Sequence, residues 1–94
     1  MEKFNKLEIG NNKVVLLANT TKSDDYFFNG NFISVFIKKG NGLPIIINLK
    51  SATGTGRGMP IHDKLENIAV ADFGFLVFEY NKSDKDIELN VVLQ

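Results

Sequence analysis

The feature that most constrains this chain is a series of short apolar segments, each of strand length, separated by turns rich in Gly and Asn. The last segment, residues 86–93, alternates with period two and places Ile87, Leu89, Val91 and Leu93 on one face. Such alternation is typical of a half-buried strand, because successive side chains of a strand point to opposite faces. We find no heptad repeat and no internal repeat. The pattern therefore predicts an all-β fold.

The segments predict about six to seven strands, arranged mainly antiparallel in a small sandwich or barrel. Gly10-Asn11-Asn12 lies between two strand-like segments, 4–9 and 13–18, and predicts a first hairpin. Asn29-Gly30 is a strong signal for a second hairpin, between Tyr26–Phe28 and residues 31–38. Further strands are expected at 45–49, 73–80 and 86–93, and at 67–71 unless that stretch is the tail of a helix. Pro60 suits the first position of a helix, so one short helix has room near 60–67.

Length and composition indicate a single β-rich domain over residues 1–94. The absence of cysteine excludes disulfides, thiolate nucleophiles and cysteine-ligated metals. A single histidine cannot build a histidine-rich metal site, and no nucleophile–base pair can be assembled from the residue pattern. We therefore expect a protein that is not an enzyme and that needs no cofactor or metal.

Charge and hydropathy bear on location and partners. The formal net charge is zero, which argues against a non-specific nucleic-acid binder. Residues 1–50 nevertheless carry +3 (seven Lys against four acids), and residues 51–94 carry −3 (three Lys and one Arg against seven acids). Such a dipolar surface would suit association between subunits. No apolar run reaches membrane-spanning length, and Met1–Asn5 lacks the apolar core of a signal peptide. We expect no membrane partner and a cytoplasmic location, in a host cell.

One segment stands out from the strand pattern, the Gly-rich stretch 50–62, which predicts a long loop. Three of the chain's eight glycines lie within five consecutive positions of this stretch, 54–58. The stretch also contains the only arginine, Arg57. The only histidine, His62, follows five residues later. Loops of this length in a compact domain are usually functional or disordered. Either a ligand-binding loop or a flexible connection fits this stretch.

The chemistry of the stretch favours an anion or a protein partner. A guanidinium binds carboxylate or phosphate in bidentate fashion. Glycine amides can form nests for anions, and threonine hydroxyls can add donors. The spacing of these residues does not match the P-loop motif. Only the residue types, and not their spacing, therefore indicate an anion-binding site. The candidate ligand-binding residues are Thr53, Gly54, Thr55, Gly56, Arg57, Gly58 and His62.

These observations give one leading hypothesis of function and two alternatives. The leading one is a non-catalytic binding protein, of the kind found among phage or mobile-element accessory factors. It would sequester a nucleotide-like anion or inhibit a host protein through loop 51–62, as a homo-oligomer. The first alternative is a barrel that binds single-stranded nucleic acid on exposed aromatics beside lysines. The second is an assembly subunit of a virion. The aromatic residues considered are Tyr26, Phe27 and Phe28 beside Lys22, and Phe32 and Phe36 before Lys38 and Lys39.

Overall fold

A computed structural model describes residues 5–94, and within this range the chain is built from strands without a helix. Phe4, predicted to begin the first strand, lies outside the described residues. The all-β class is therefore confirmed, with nine strands where six to seven were expected. In chain order they are β1 (Asn5–Lys6), β2 (Gly10–Leu16), β3 (Tyr26–Phe27), β4 (Phe32–Lys39), β5 (Ile45–Lys50), β6 (Gly56–Ile61), β7 (Lys64–Ala69), β8 (Phe75–Glu79) and β9 (Ile87–Leu93).

The strands form two sheets, with the orders β1-β3-β8-β5-β6 and β2-β9-β4-β7. All neighbours are antiparallel except β1 and β3, which are parallel. Without β1, the two four-stranded orders are those of a jelly roll, a two-sheet sandwich of two Greek keys. The fold is thus the sandwich of the two predicted architectures and not a closed barrel. β6 and β7 are the edge strands on one side of it, and β1 and β2 on the other.

One hydrophobic core lies between the sheets, because alternate residues of the central strands point inward. In β9 every second residue is buried, from Ile87 to Leu93, as the sequence pattern predicts. In β5, Ile45, Ile47 and Leu49 are buried in the same way. The core contains Leu7, Val14, Leu16, Phe28, Ile33, Val35, Ile45, Ile47, Leu49, Ile61, Val70, Leu76, Phe78, Ile87, Leu89, Val91 and Leu93.

Both predicted hairpins are wrong, and for the same topological reason. β1 pairs with β3 and β2 with β9, so the turn at Gly10 joins no hairpin; Gly10 itself begins β2. Asn29-Gly30 connects β3 in one sheet with β4 in the other. In a jelly roll most consecutive strands lie in opposite sheets. Turn residues between two such strands therefore connect one sheet with the other instead of closing a hairpin.

The predicted long loop at 50–62 and the predicted helix near 60–67 are also replaced by strands. Gly56–Ile61 is β6, which pairs along its whole length with β5, and Lys64–Ala69 is β7, which pairs with β4. The pairing with β5 and β4 gives this stretch its backbone hydrogen bonds in place of helical ones. Pro60 fits the strand because an edge strand needs no N–H on its open side. Only residues 51–55 and 62–63 remain outside strands in this stretch.

Candidate functional site

The turn between β5 and β6 is a three-residue hairpin loop, Ala52-Thr53-Gly54. The Gly54 amide donates to the Ser51 carbonyl at 3.1 Å, and the Ser51 amide donates to the Thr55 carbonyl at 2.9 Å. Gly54 has φ +90°, the left-handed conformation that glycine adopts without strain. A type I turn followed by such a residue is a common three-residue hairpin loop. The glycine here thus has a structural reason to be present.

Hydrogen bonds within this turn occupy the Thr53 hydroxyl and the Gly54 and Thr55 amides, which are some of the donors that the sequence suggested for an anion. The Ser51 hydroxyl accepts from the Thr55 amide at 3.1 Å and shares a hydrogen bond of 2.9 Å with the Thr53 hydroxyl. Together with the Gly54 amide, these groups are already paired within the turn. The geometry therefore gives little support to a phosphate cradle at residues 53–55.

Arg57 lies on β6 opposite Leu49, on the side of the sheet that faces the core. Leu49 is buried, but Arg57 is exposed because it sits near the end of an edge strand. Among residues 5–94, no hydrogen bond or ion pair engages its guanidinium. Arg57 is therefore a charged group available to a partner.

His62 is placed away from Arg57 by the extended strand. Five residues separate them, which corresponds to about 17 Å at roughly 3.3 Å per residue. His62 lies beside a shallow depression of about 240 Å³ whose other lining residues include Ile37, Leu43 and Asp63. The seven candidate residues thus follow one edge of the protein, with His62 at the far end, and do not converge on one small ligand.

The backbone of β6 presents an unpaired side, since β6 is the edge of its sheet among the described residues. The bond from Ser51 to Thr55 makes these two a hydrogen-bonded pair of the antiparallel ladder. Such pairs recur at every second residue. Arg57, Met59 and Ile61 therefore exchange hydrogen bonds with β5.

The alternate residues of β6, which are Gly56, Gly58 and Pro60, direct their backbone groups away from β5. Two N–H groups and three C=O groups consequently face the open side, since proline has no N–H. The side chains at these positions would lie on the outer face of the sheet, and two of them are absent because the residues are glycine. An incoming strand would meet backbone with little side-chain obstruction.

A hydrogen-bonded pair of polar side chains, Asn48 and Glu79, lies on the outer face of the sheet beside β6. Asn48 donates through Nδ2 to Glu79 Oε1 at 2.7 Å. Its Oδ1 lies 2.8 Å from the position that a Cβ would occupy at Gly58. The Asn48 side chain therefore extends over Gly58, in space that any larger residue would take. The sequence marks Gly58 as part of a Gly-rich stretch but carries no signal for this role.

The aromatic residues considered for nucleic-acid binding are divided between different faces. Phe27 and Phe75 lie side by side on the outer face of the β6 sheet, with ring centroids 5.7 Å apart. Phe28 is buried, and Phe32 and Phe36 belong to β4 in the other sheet. The exposed aromatics therefore do not form one continuous platform.

A small cleft missed by the sequence analysis lies at the opposite edge of the sandwich, around Tyr26 and Tyr80. The Tyr80 hydroxyl shares a 2.6 Å hydrogen bond with the Thr20 hydroxyl. Burial, followed by the nearby charge of Asp24, raises the pKa of the Tyr26 hydroxyl. The cleft volume is about 150 Å³, below the roughly 300–1,000 Å³ of sites for small organic ligands.

The outer face of the second sheet is covered in part by charge pairs. Glu88 contacts Lys13 and Lys39, each at 3.3 Å. Hydrogen bonds from both lysines hold the pKa of the Glu88 carboxyl below its usual value. Lys64 pairs with Glu66 at 2.9 Å on β7. Arg57, in contrast, takes part in none of these ion pairs.

Comparison with known proteins gives no further guide: no family model, no curated protein and no solved structure matches the chain. Within residues 5–94, the chain contains no helix with the length and apolar character needed to cross a membrane. The described residues also contain no group of three or more His, Cys, Asp or Glu side chains placed to hold a metal ion.

Proposed function

We propose that this protein is a non-catalytic binding module that captures an extended segment of another protein along the open edge of β6. The observation that carries the proposal is the pair of glycines on that edge. Gly56 and Gly58 turn their N–H groups away from β5 and carry no side chains. Strand addition to an exposed edge is a common mode of peptide recognition, in which main-chain hydrogen bonds supply affinity.

The proposal is supported by how little protects this edge. Natural edge strands are usually blocked by charges, prolines, bulges or a covering segment, because open edges promote unwanted pairing. Within β6 only Pro60 removes a donor, and Arg57 is the only charged residue. With only these two blocking features, an edge of six residues is long enough to take up a partner strand.

Arg57 gives the edge a basis for selectivity. Its guanidinium is exposed and unpaired among residues 5–94. On a captured strand, the residue opposite or diagonal to Arg57 lies within reach of a long side chain. A carboxylate there would form a bidentate ion pair with arginine. We therefore expect partners with an acidic side chain in an otherwise extended, apolar segment.

An extended protein segment suits this edge better than a free nucleotide does. The amides of Ser51, Gly54 and Thr55 are paired within the turn, and His62 lies beyond the other end of β6. The donors that remain around Arg57 are the Gly56 and Gly58 amides, and these are spaced along the strand edge instead of converging on one point. Capture of a segment that the partner needs for its own activity would make the protein an inhibitor.

Peptide selection tests this proposal. Peptides enriched from a random display library on the wild-type protein should be extended and contain an acidic residue. Their affinity should fall by at least roughly tenfold in Gly56→Pro, which removes one open-side N–H and places a ring in the path of the strand. The Thr55 amide keeps its bond to Ser51, so the turn is preserved. Binding is measured by fluorescence anisotropy.

Gly56→Ala is the matched control, because it keeps the N–H. A Cβ at this position meets only the Leu49 carbonyl oxygen, at 3.4 Å, so the fold should tolerate it. We expect this variant to bind the selected peptides within about twofold of wild type. Equal binding to Gly56→Pro, with its fold verified by circular dichroism, would contradict the proposal. Failure to enrich any peptide would contradict it as well.

A further inference from the structure

We infer that, without another partner, the strand paired to β6 is β6 of a second copy of this chain, giving a two-fold symmetric dimer with a continuous ten-stranded sheet. This inference rests on the proposed function, since it uses the same open edge. It commits to a particular occupant because the open-side backbone groups of β6 are complementary to those of a second, antiparallel β6.

That register has a two-fold axis at Gly58. Gly58 then lies opposite Gly58 of the second copy, and the two exchange both of their backbone hydrogen bonds. Gly56 lies opposite Pro60 of the second copy, so the Gly56 N–H donates to the Pro60 carbonyl. All open-side N–H groups of β6 find an acceptor in this way. Proline has no donor to lose at its position.

Charge favours this register over the adjacent register in which the two-fold axis lies at Arg57. A shift that places the axis at Arg57 also pairs the glycines, but it puts two arginines directly opposite each other, which is destabilising. With the axis at Gly58, Arg57 lies opposite Met59 of the second copy. The chain's formal net charge of zero also removes long-range repulsion between two copies.

The apolar rim of the sandwich beside β6 favours a covered edge. Met59 on β6 and both Leu65 and Ile68 on β7 pack against the core but are only partly buried. β6 and β7 are joined by the two-residue turn 62–63, so these three side chains lie on the same open side of the sandwich. A second copy on β6 would shield this rim from water.

The dimer also explains how an unblocked edge can be tolerated. An isologous two-fold interface closes on itself and leaves no free edge at β6 for further growth. The dimer is then the resting form, and a partner segment binds by displacing the second copy. Peptide binding and self-association therefore compete for the same backbone groups.

Sedimentation velocity over a range of concentrations tests the dimer. Wild-type protein should sediment as two chains at high concentration and dissociate to one on dilution. Gly56→Pro should weaken this association by more than roughly tenfold, because the two-fold symmetry makes the substitution remove two hydrogen bonds, one from each chain. Gly56→Ala should dimerise like wild type. A wild-type monomer at every concentration, or a dimer that persists in Gly56→Pro, would overturn the inference.

Disulfide trapping tests the register. Because the chain has no native cysteine, only the introduced cysteines can form disulfides. A mixture of Arg57→Cys and Met59→Cys chains, of different lengths, should form the mixed disulfide on mild oxidation. Each variant alone should form far less, since equal positions are offset by two residues along the strands. Predominant Arg57→Cys homodimers would show the rejected register and overturn this one.

The two proposals fail in distinguishable ways. Selected peptides that bind wild type and lose affinity in Gly56→Pro, while wild type stays monomeric, would leave strand capture standing and remove the dimer. A dimer sensitive to Gly56→Pro without any enriched peptide would support self-pairing and remove the capture of other proteins.

Discussion

Replacement of Phe78 by alanine is expected to lower the free energy of unfolding by about 3–5 kcal/mol, as for other buried aromatic residues. Phe78 has no solvent-exposed surface and lies in β8, between β3 and β5. Its ring contacts Tyr26 edge-on, with centroids 6.3 Å apart. A protein of this size has roughly 5–15 kcal/mol of stability in total. Urea denaturation followed by circular dichroism measures the change.

Phe75→Ala is the matched control on the same strand. Phe75 points to the outer face, is only partly buried, and packs mainly beside Phe27. We expect its loss to cost about 0.5–1.5 kcal/mol for the aromatic pair plus a small contribution from its partial burial, clearly less than the loss of Phe78. Equal destabilisation by the two substitutions would show that the core does not lie between the sheets as described.

Gly30→Ala should also destabilise the protein, by about 1–3 kcal/mol, the usual range for overpacking. A Cβ on Gly30 would lie 2.7 Å from Leu93 Cδ1 and 3.1 Å from the carbonyl oxygen of Gln94. Leu93 is buried in the core, and the Gln94 carbonyl accepts from the amides of Asn31 and Phe32. Neither neighbour can move freely, so the end of β9 must shift.

Gly74→Ala provides the comparison, since nothing lies within 4 Å of the added Cβ and the backbone conformation is ordinary. We expect it to be neutral or slightly stabilising. A second check is Gly30→Ala combined with Leu93→Ala, which should cost less than the sum of the single substitutions because the clash is gone. Additive costs in urea denaturation would contradict a direct contact between these residues.

The sequence predicts the strands better than it predicts their pairing. Alternation identified β9, because burial follows the two-residue period of a strand directly, and a run of apolar residues identified β5 without showing which of its faces is buried. β1 and β3 have two residues each, too short for any period to be read. The hairpin predicted at Asn29-Gly30 is wrong, because these residues connect the two sheets and Gly30 packs closely against Leu93. Local turn chemistry does not reveal which sheet receives the next strand.

For the candidate site, the sequence singled out a segment that the structure shows as a tight turn and an edge strand, where a long loop was predicted. Its unusual glycines and lone arginine do mark a distinct region, the β5–β6 turn and the edge strand. The glycines were interpreted as parts of a loop that binds a ligand or forms a flexible connection. Gly56 and Gly58 instead lie in a regular strand. The segment Gly-Arg-Gly-Met-Pro-Ile has the strand period, but two of its three outer positions are glycine and one inner position is Arg57, so hydropathy shows no alternation. The edge position depends on pairing with β5, which no local pattern encodes.

The most direct test of the central claim is amide hydrogen exchange measured by NMR, residue by residue along β6, in dilute protein. Arg57, Met59 and Ile61 should be protected, because their amides bond to β5, while Gly56 and Gly58 should exchange close to the rate of an unstructured chain. A saturating selected peptide or high protein concentration should protect both glycines. Glycines protected in the dilute protein, or the reverse alternation, would contradict an open β6 edge.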